Sequence, residues 1–194
     1  MKVLADMLGQ IENVKELVIW DCHSPVGVEL TGATNIAAQD IIRSNAELTR
    51  QLKDEQSVII CPDKGAVSRT RAIAKALTPD GQDGAIVYCE KVRDPATGQI
   101  THTDVKVDTL AGKTAIITDD ICDGGYTFIK IAEQLRAKGA DKIILFVTHG
   151  IFSKGLGVFE GLVDHIYTTQ SFPHNADPRL TILNYAHTFN TVAA

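Results

Sequence analysis

Along the 194-residue chain, short aliphatic and β-branched runs alternate with segments of helical period. Residues 17–20, 57–61, 85–89, 114–118 and 143–147 are such runs, each bounded by polar residues, Gly or Pro, as parallel strands buried on both faces should be. Between them, Ile41, Asn45, Leu48 and Leu52 share one helical face, and Thr70, Ile73, Ala74 and Leu77 share another. Phe128, Ile131, Ala132 and Leu135 repeat with the spacing of one helix face, and Gly139 stands where such a helix should stop. This alternation predicts an α/β fold, a doubly wound parallel sheet with its ligands at the carboxyl ends of the strands.

Two stretches break the rhythm. Residues 94–109 are polar, contain Pro95 and Gly98, and alternate from 101 to 107, which predicts a hairpin serving as a mobile flap. From residue 155 onward, strand-like pieces at 163–169 and 180–183 flank a loop with Phe172, Pro173, His174 and Pro178.

Composition narrows the function classes. A net charge of -5 supplies no general field for a nucleic-acid backbone, so any phosphate must be held locally. No run approaches the roughly 18 apolar residues of a membrane helix, and the first eight residues, with Lys2 and Asp6, lack a signal-peptide core. Cys22, Cys61, Cys89 and Cys122 form no CxxC pair, and three of them adjoin strand-like runs. They read as buried free thiols in a reducing, cytoplasmic setting.

Four segments carry candidate chemistry. In the first, Asp119, Asp120, Asp123, Gly124, Gly125, Tyr126 and Thr127 lead from a hydrophobic strand into a helix. Two glycines let the backbone approach a ligand, and the N–H groups of a turn and helix start attract an anion. Acids pointing into that cradle would repel phosphate, so they suit sugar hydroxyls or hydrated Mg²⁺. The plainer alternative is a strand–turn–helix with a solvated acidic pair and Asp123 as N-cap. In the second segment Asp63, Lys64, Gly65, Ala66, Arg69 and Arg71 place one acid, a glycine and positive charge at a helix start, which suits diphosphate with Mg²⁺. Taken alone, its arginine pair reads as a solvated helix face. The third is Asp21 and His23 after a strand, and the fourth is Lys91 and Arg93 at the root of the expected flap, alternating along an extended backbone and so sharing one face.

Residues 114–127 resemble the phosphoribosyl-diphosphate-binding motif of type I phosphoribosyltransferases and ribose-phosphate pyrophosphokinases. The stretch from Thr148 to Ser153 and the loop from Cys61 to Arg71 resemble the pyrophosphokinases in particular, except that the family usually has a second glycine at Ala66. The resemblance implies ribose 5-phosphate at Asp119, Asp120 and Asp123–Thr127, and diphosphate or ATP at Asp63, Lys64, Gly65, Ala66 and Arg69. It further implies Mg²⁺ at His23 and Asp63, and a cationic clamp of Lys91 and Arg93 on the transferring group. ATP and ribose 5-phosphate would be the substrates and an assembly of identical chains the working form, with neither nucleic acid nor membrane as partner.

The likeness begins near the end of the family's first domain. Residues 1–35 are therefore expected to be the end of an N-terminal phosphoribosyltransferase-like domain that is largely absent, and residues 36–194 the domain holding both loops. Two other functions fit less of the pattern. A phosphoribosyltransferase consuming phosphoribosyl diphosphate would need a base-recognition hood that the sequence does not display, and a non-catalytic regulatory subunit would have no use for Lys91 and Arg93. No GxGxxG follows the first strand, which disfavours a dinucleotide-binding oxidoreductase.

Overall fold

Strands β3 (Ser57–Cys61), β6 (Thr114–Cys122) and β7 (Lys142–Gly150) form the middle of the sheet because their side chains are apolar on both faces. Ile60, Ala115, Ile117, Ile143, Leu145 and Val147 enter one core, together with Phe128, Ile131, Ala132 and Leu135 of helix α6 (Tyr126–Ala137). Ile59, Cys61, Ile116, Ile144 and Phe146 enter a second core on the other face, against α3 (Ala38–Arg43), α4 (Ala46–Lys53) and α5 (Val67–Leu77). The result is helix, sheet and helix in three layers. The structure, a computed structural model, describes residues 2–12, 14, 16–78, 86–93 and 100–184, with backbone alone at 91–93 and 100–102.

Among the described residues the main sheet runs β5-β4-β3-β6-β7-β8-β9, where β4 is Ile86–Arg93, β5 Ile100–Val105, β8 His165–Thr169 and β9 Leu180–Leu183. All neighbours are parallel except β4 and β5, which pair antiparallel as the hairpin expected from the alternation at 101–107. The centre of the expected flap, residues 94–99, lies outside the described residues. The N-terminal segment contributes α1 (Lys2–Gly9), β1 (Val18–Trp20), α2 (Pro25–Thr31) and β2 (Thr34–Ile36), with β1 and β2 in a separate parallel pair. Val18, Trp20 and Ile36 seat that pair on the second core.

Three expectations are corrected. The helical face read through Ile41, Asn45, Leu48 and Leu52 belongs to two helices, because Asn45 is an N-cap whose side chain accepts the Leu48 N–H at 2.8 Å. Runs 114–118 and 143–147 are the apolar halves of strands that continue through polar residues to Cys122 and Gly150. Backbone pairing of Asp119 with Val147 and of Ile121 with His149 extends both. Residues 163 and 164, read as strand, precede β8, which begins at His165.

Candidate functional site

Because β6 runs on to Cys122, Asp119 and Asp120 are adjacent residues of a strand and leave opposite faces. Asp119 turns toward the start of α6 and lines a cleft of about 290 Å³ with Asp63, Asp123, Gly124, Gly125, Tyr126 and Thr127. Gly125 stands at φ 79, and a Cβ there would lie 2.7 Å from the Phe159 ring, so both backbone and space call for glycine. Gly125 is also the N-cap of α6 and has no side-chain cap bond. The structure therefore excludes Asp123 as the cap, and the first N–H groups of the helix face the cleft mouth, where an anion fits.

Asp120 is 6% exposed and turns the other way. It accepts a 2.6 Å hydrogen bond from His23 Nδ1 and lies 3.5 Å from the Arg69 guanidinium, whose other terminal nitrogen is 3.6 Å from Asp119. Arg69 Nε donates to both oxygens of Asp21, at 3.0 and 3.1 Å. Thr148 Oγ1 donates to the same carboxylate at 2.7 Å. The arginine pair thus divides: Arg69 is largely withdrawn from solvent among three carboxylates, not on a solvated face, whereas Arg71 is exposed, with its Nε donating to the Tyr88 hydroxyl at 3.3 Å.

This wiring separates the two acids electrically. Burial pushes the Asp119 carboxyl up to about 7, more than the Asp120 amide bond and the Arg69 charge lower it. Burial acts in the same direction on Asp120, but the His23 hydrogen bond and Arg69 outweigh it and hold that carboxyl below its ordinary value. Between them and the glycines, Cys122 is pushed by burial to about 12, which leaves no thiolate nucleophile at neutral pH.

The Asp63 loop is self-capped. Asp63 Oδ1 accepts the N–H of Gly65 at 2.8 Å and of Ala66 at 3.3 Å, closing a 3-10 turn over Lys64–Ala66 just before α5. Ala66 is 2% exposed and belongs to the second core, so its methyl fills the interior and leaves the cleft open. Lys64 is exposed beside this turn.

Among the described residues no three His, Cys, Asp or Glu side chains converge as a metal cage. The described hydrogen bond of His23 Nδ1 goes to Asp120, not to Asp63. Carboxylates of Asp63, Asp119 and Asp123 along one cleft nevertheless fit Mg²⁺, which takes one or two protein oxygens and completes its shell with phosphates and water. Lys91 and Arg93 lie in β4, where their backbones pair with Thr103 and Ile100 across a register shift at Val92/Arg93.

With this geometry in place, comparison with known proteins is direct. The family model described as "Phosphoribosyl transferase domain" matches residues 32–165. The chain belongs to that family. The chain is 34% identical over 174 residues to a ribose-phosphate pyrophosphokinase of Mycoplasmopsis pulmonis, covering 88% of this chain and 51% of that protein. It is also 34% identical over 176 residues to the enzyme of that name from Pyrococcus furiosus, covering 89% and 58%. The chain thus spans little more than half the length of these relatives. Its fold matches the crystal structure of phosphoribosylpyrophosphate synthetase from Mycobacterium smegmatis with a TM-score of 0.79 at 24% identity, over 100% of this chain and 62% of that one. Among the described residues, no helix is long and apolar enough to cross a membrane.

Sequence reasoning placed Asp21 beside the site, and Thr148 and His149 in the family-like stretch from Thr148 to Ser153, without a role for any of them, and it missed Phe159. His149 Nε2 donates to the Trp20 carbonyl at 3.0 Å and its Nδ1 accepts from Ser171 Oγ at 3.1 Å, tying β1 to the end of β7. Besides that resemblance, the local signal was that Thr148 and His149 are polar residues directly after an apolar run.

The raised Asp119 makes stability pH-dependent. Its folded value of about 7 lies above the unfolded one, so its contribution is full below about pH 4 and is lost as pH rises toward 7. Asp119→Asn should therefore stabilise the protein at pH 8 by on the order of 1–3 kcal/mol relative to its effect at pH 4. Urea unfolding at the two pH values measures this, and an equal effect at both would contradict the assignment.

Proposed function

We propose that this chain carries the ribose 5-phosphate and diphosphate site of a ribose-phosphate diphosphokinase, which moves the diphosphoryl group of ATP onto ribose 5-phosphate. The observation that carries the reading is one cleft shared by Asp63 of the first loop and by Asp119, Asp123 and the α6 N-terminus of the second. The 5-phosphate sits on the N–H groups from Gly124 to Thr127, and Asp119 and Asp123 accept hydrogen bonds from sugar hydroxyls. Lys64, Gly65 and Ala66 face the diphosphate, while Arg69 holds the acids in place. The C1 oxygen forms a bond to the β-phosphorus, the bond from that phosphorus to the bridging oxygen breaks, AMP leaves, and the hydroxyl proton passes to water. Mg²⁺ would be held from the cleft carboxylates, Asp63 first among them, and would neutralise phosphate charge. Lys91 and Arg93 stabilise the charge on the transferring group, as cationic clamps do in phosphoryl transfer. The same reading takes the working form to be a cytoplasmic assembly of identical chains.

Isothermal calorimetry with ribose 5-phosphate tests the site, and saturable binding is the expected result. AMP release from ATP and ribose 5-phosphate, measured with this chain and with a longer polypeptide containing it, tests the reaction. A phosphoribosyltransferase would instead release diphosphate from phosphoribosyl diphosphate and a base, so that product without AMP would overturn the proposal.

A further inference from the structure

Asp21 is one of two described non-glycine residues with positive φ, at 47, and it is 6% exposed. A left-handed backbone at such a position is disfavoured unless its surroundings hold it, and such residues gather where geometry matters. Here the surroundings do hold it. The Asp21 N–H donates to the Ile36 carbonyl at 2.7 Å, and the Trp20 carbonyl just before it accepts from His149 at 3.0 Å. The carboxylate then takes Thr148 on one oxygen and Arg69 Nε on both. It is absent from the cleft lining.

We propose that Asp21 is a positioning residue for the sugar-binding acid Asp119: it fixes the Arg69 guanidinium, which in turn sets the angles of Asp119 and of its strand neighbour Asp120. Asp21 holds the guanidinium at Nε, on both of its oxygens, and the two terminal nitrogens then lie 3.6 Å from Asp119 and 3.5 Å from Asp120. A planar fork held at Nε presents its terminal nitrogens in a fixed direction, which a lysine ammonium cannot do. One chain of charge therefore runs from β1, outside the main sheet, through α5 to the end of β6. The β1–β2 segment thereby governs how well the cleft recognises hydroxyls, while the phosphate cradle at Gly124 to Thr127 stays independent of it. The ligand part of this inference rests on the ribose-phosphate reading above.

The test separates sugar from phosphate. Asp21→Asn keeps the shape and the Thr148 hydrogen bond while removing the charge that anchors Arg69. Affinity for ribose 5-phosphate should fall on the order of 10- to 100-fold, the usual result of removing a group that orients a binding side chain. Affinity for inorganic phosphate should not change, and Arg69→Lys should reproduce the split. Equal loss for both ligands, or loss for neither, would overturn the role. If the parent chain does not bind ribose 5-phosphate at all, the functional reading fails, and NMR still decides this inference. The Asp119 and Asp120 amide signals and the Arg69 Nε–H signal must shift in Asp21→Asn, and unmoved signals overturn it. Should Asp21→Asn not fold, Arg69→Lys carries the affinity comparison and the Asp119 and Asp120 amide signals.

Discussion

Replacing Lys91 or Arg93 by Ala in a polypeptide that turns over should lower kcat by on the order of 10³-fold and leave KM for ribose 5-phosphate nearly unchanged. The reason is where the charge develops. On the proposed function ribose 5-phosphate sits at the β6–α6 turn, whereas a clamp on the moving diphosphoryl group gains strength only as that group leaves AMP. A residue that acts only in the transition state affects kcat and kcat/KM equally. Steady-state kinetics of the two single variants and the double variant measure this, and the double variant should lose little beyond the worse single one if the two act as a unit. Full activity of the double variant would remove the clamp from the mechanism. A rise in KM with unchanged kcat would move both residues to the binding site.

Gly125→Ala should abolish measurable ribose 5-phosphate binding, a loss of roughly 100-fold or more. Two effects add. A left-handed alanine is disfavoured by about 1–2 kcal/mol, and the new methyl would meet the Phe159 ring at 2.7 Å, an overpacking that costs about 1–3 kcal/mol. Phe159 is 1% exposed in the first core, so the loop is the part free to move, and moving it takes the N–H groups off the phosphate. Calorimetry of three variants separates the terms. Gly125→Asn should retain more affinity than Gly125→Ala, because asparagine tolerates this backbone better. Gly125→Ala with Phe159→Leu should recover only the packing share. Unchanged affinity in Gly125→Ala would place the phosphate elsewhere.

The layers and the cradle were legible in the sequence because their causes are local. Strand β3 covers residues 57–61 as read, α6 presents Phe128, Ile131, Ala132 and Leu135 to the core, and Gly139 follows that helix at φ 85. Apolar runs, helical period and turn chemistry act over a few residues, so one chain displays them without an alignment. The helix break at Asn45 was legible too, since asparagine is a strong N-cap, but a continuous apolar face concealed it.

What the tertiary structure alone decided is the direction and electrical state of the site residues. Composition could not divide Asp119 from Asp120; the strand pleat did so once β7 paired past the apolar run and carried β6 to Cys122. Nor could helix period place Arg69 among the acids, since it sits on α5 as a polar residue like Arg71. Its partner Asp21 is 48 residues away in sequence, Asp21 and Thr148 are separated by 127, and His23 and Asp120 by 97. Such pairings exist because parallel strands deliver their carboxyl ends to one edge of a sheet regardless of distance along the chain, and charges withdrawn from water there must find each other.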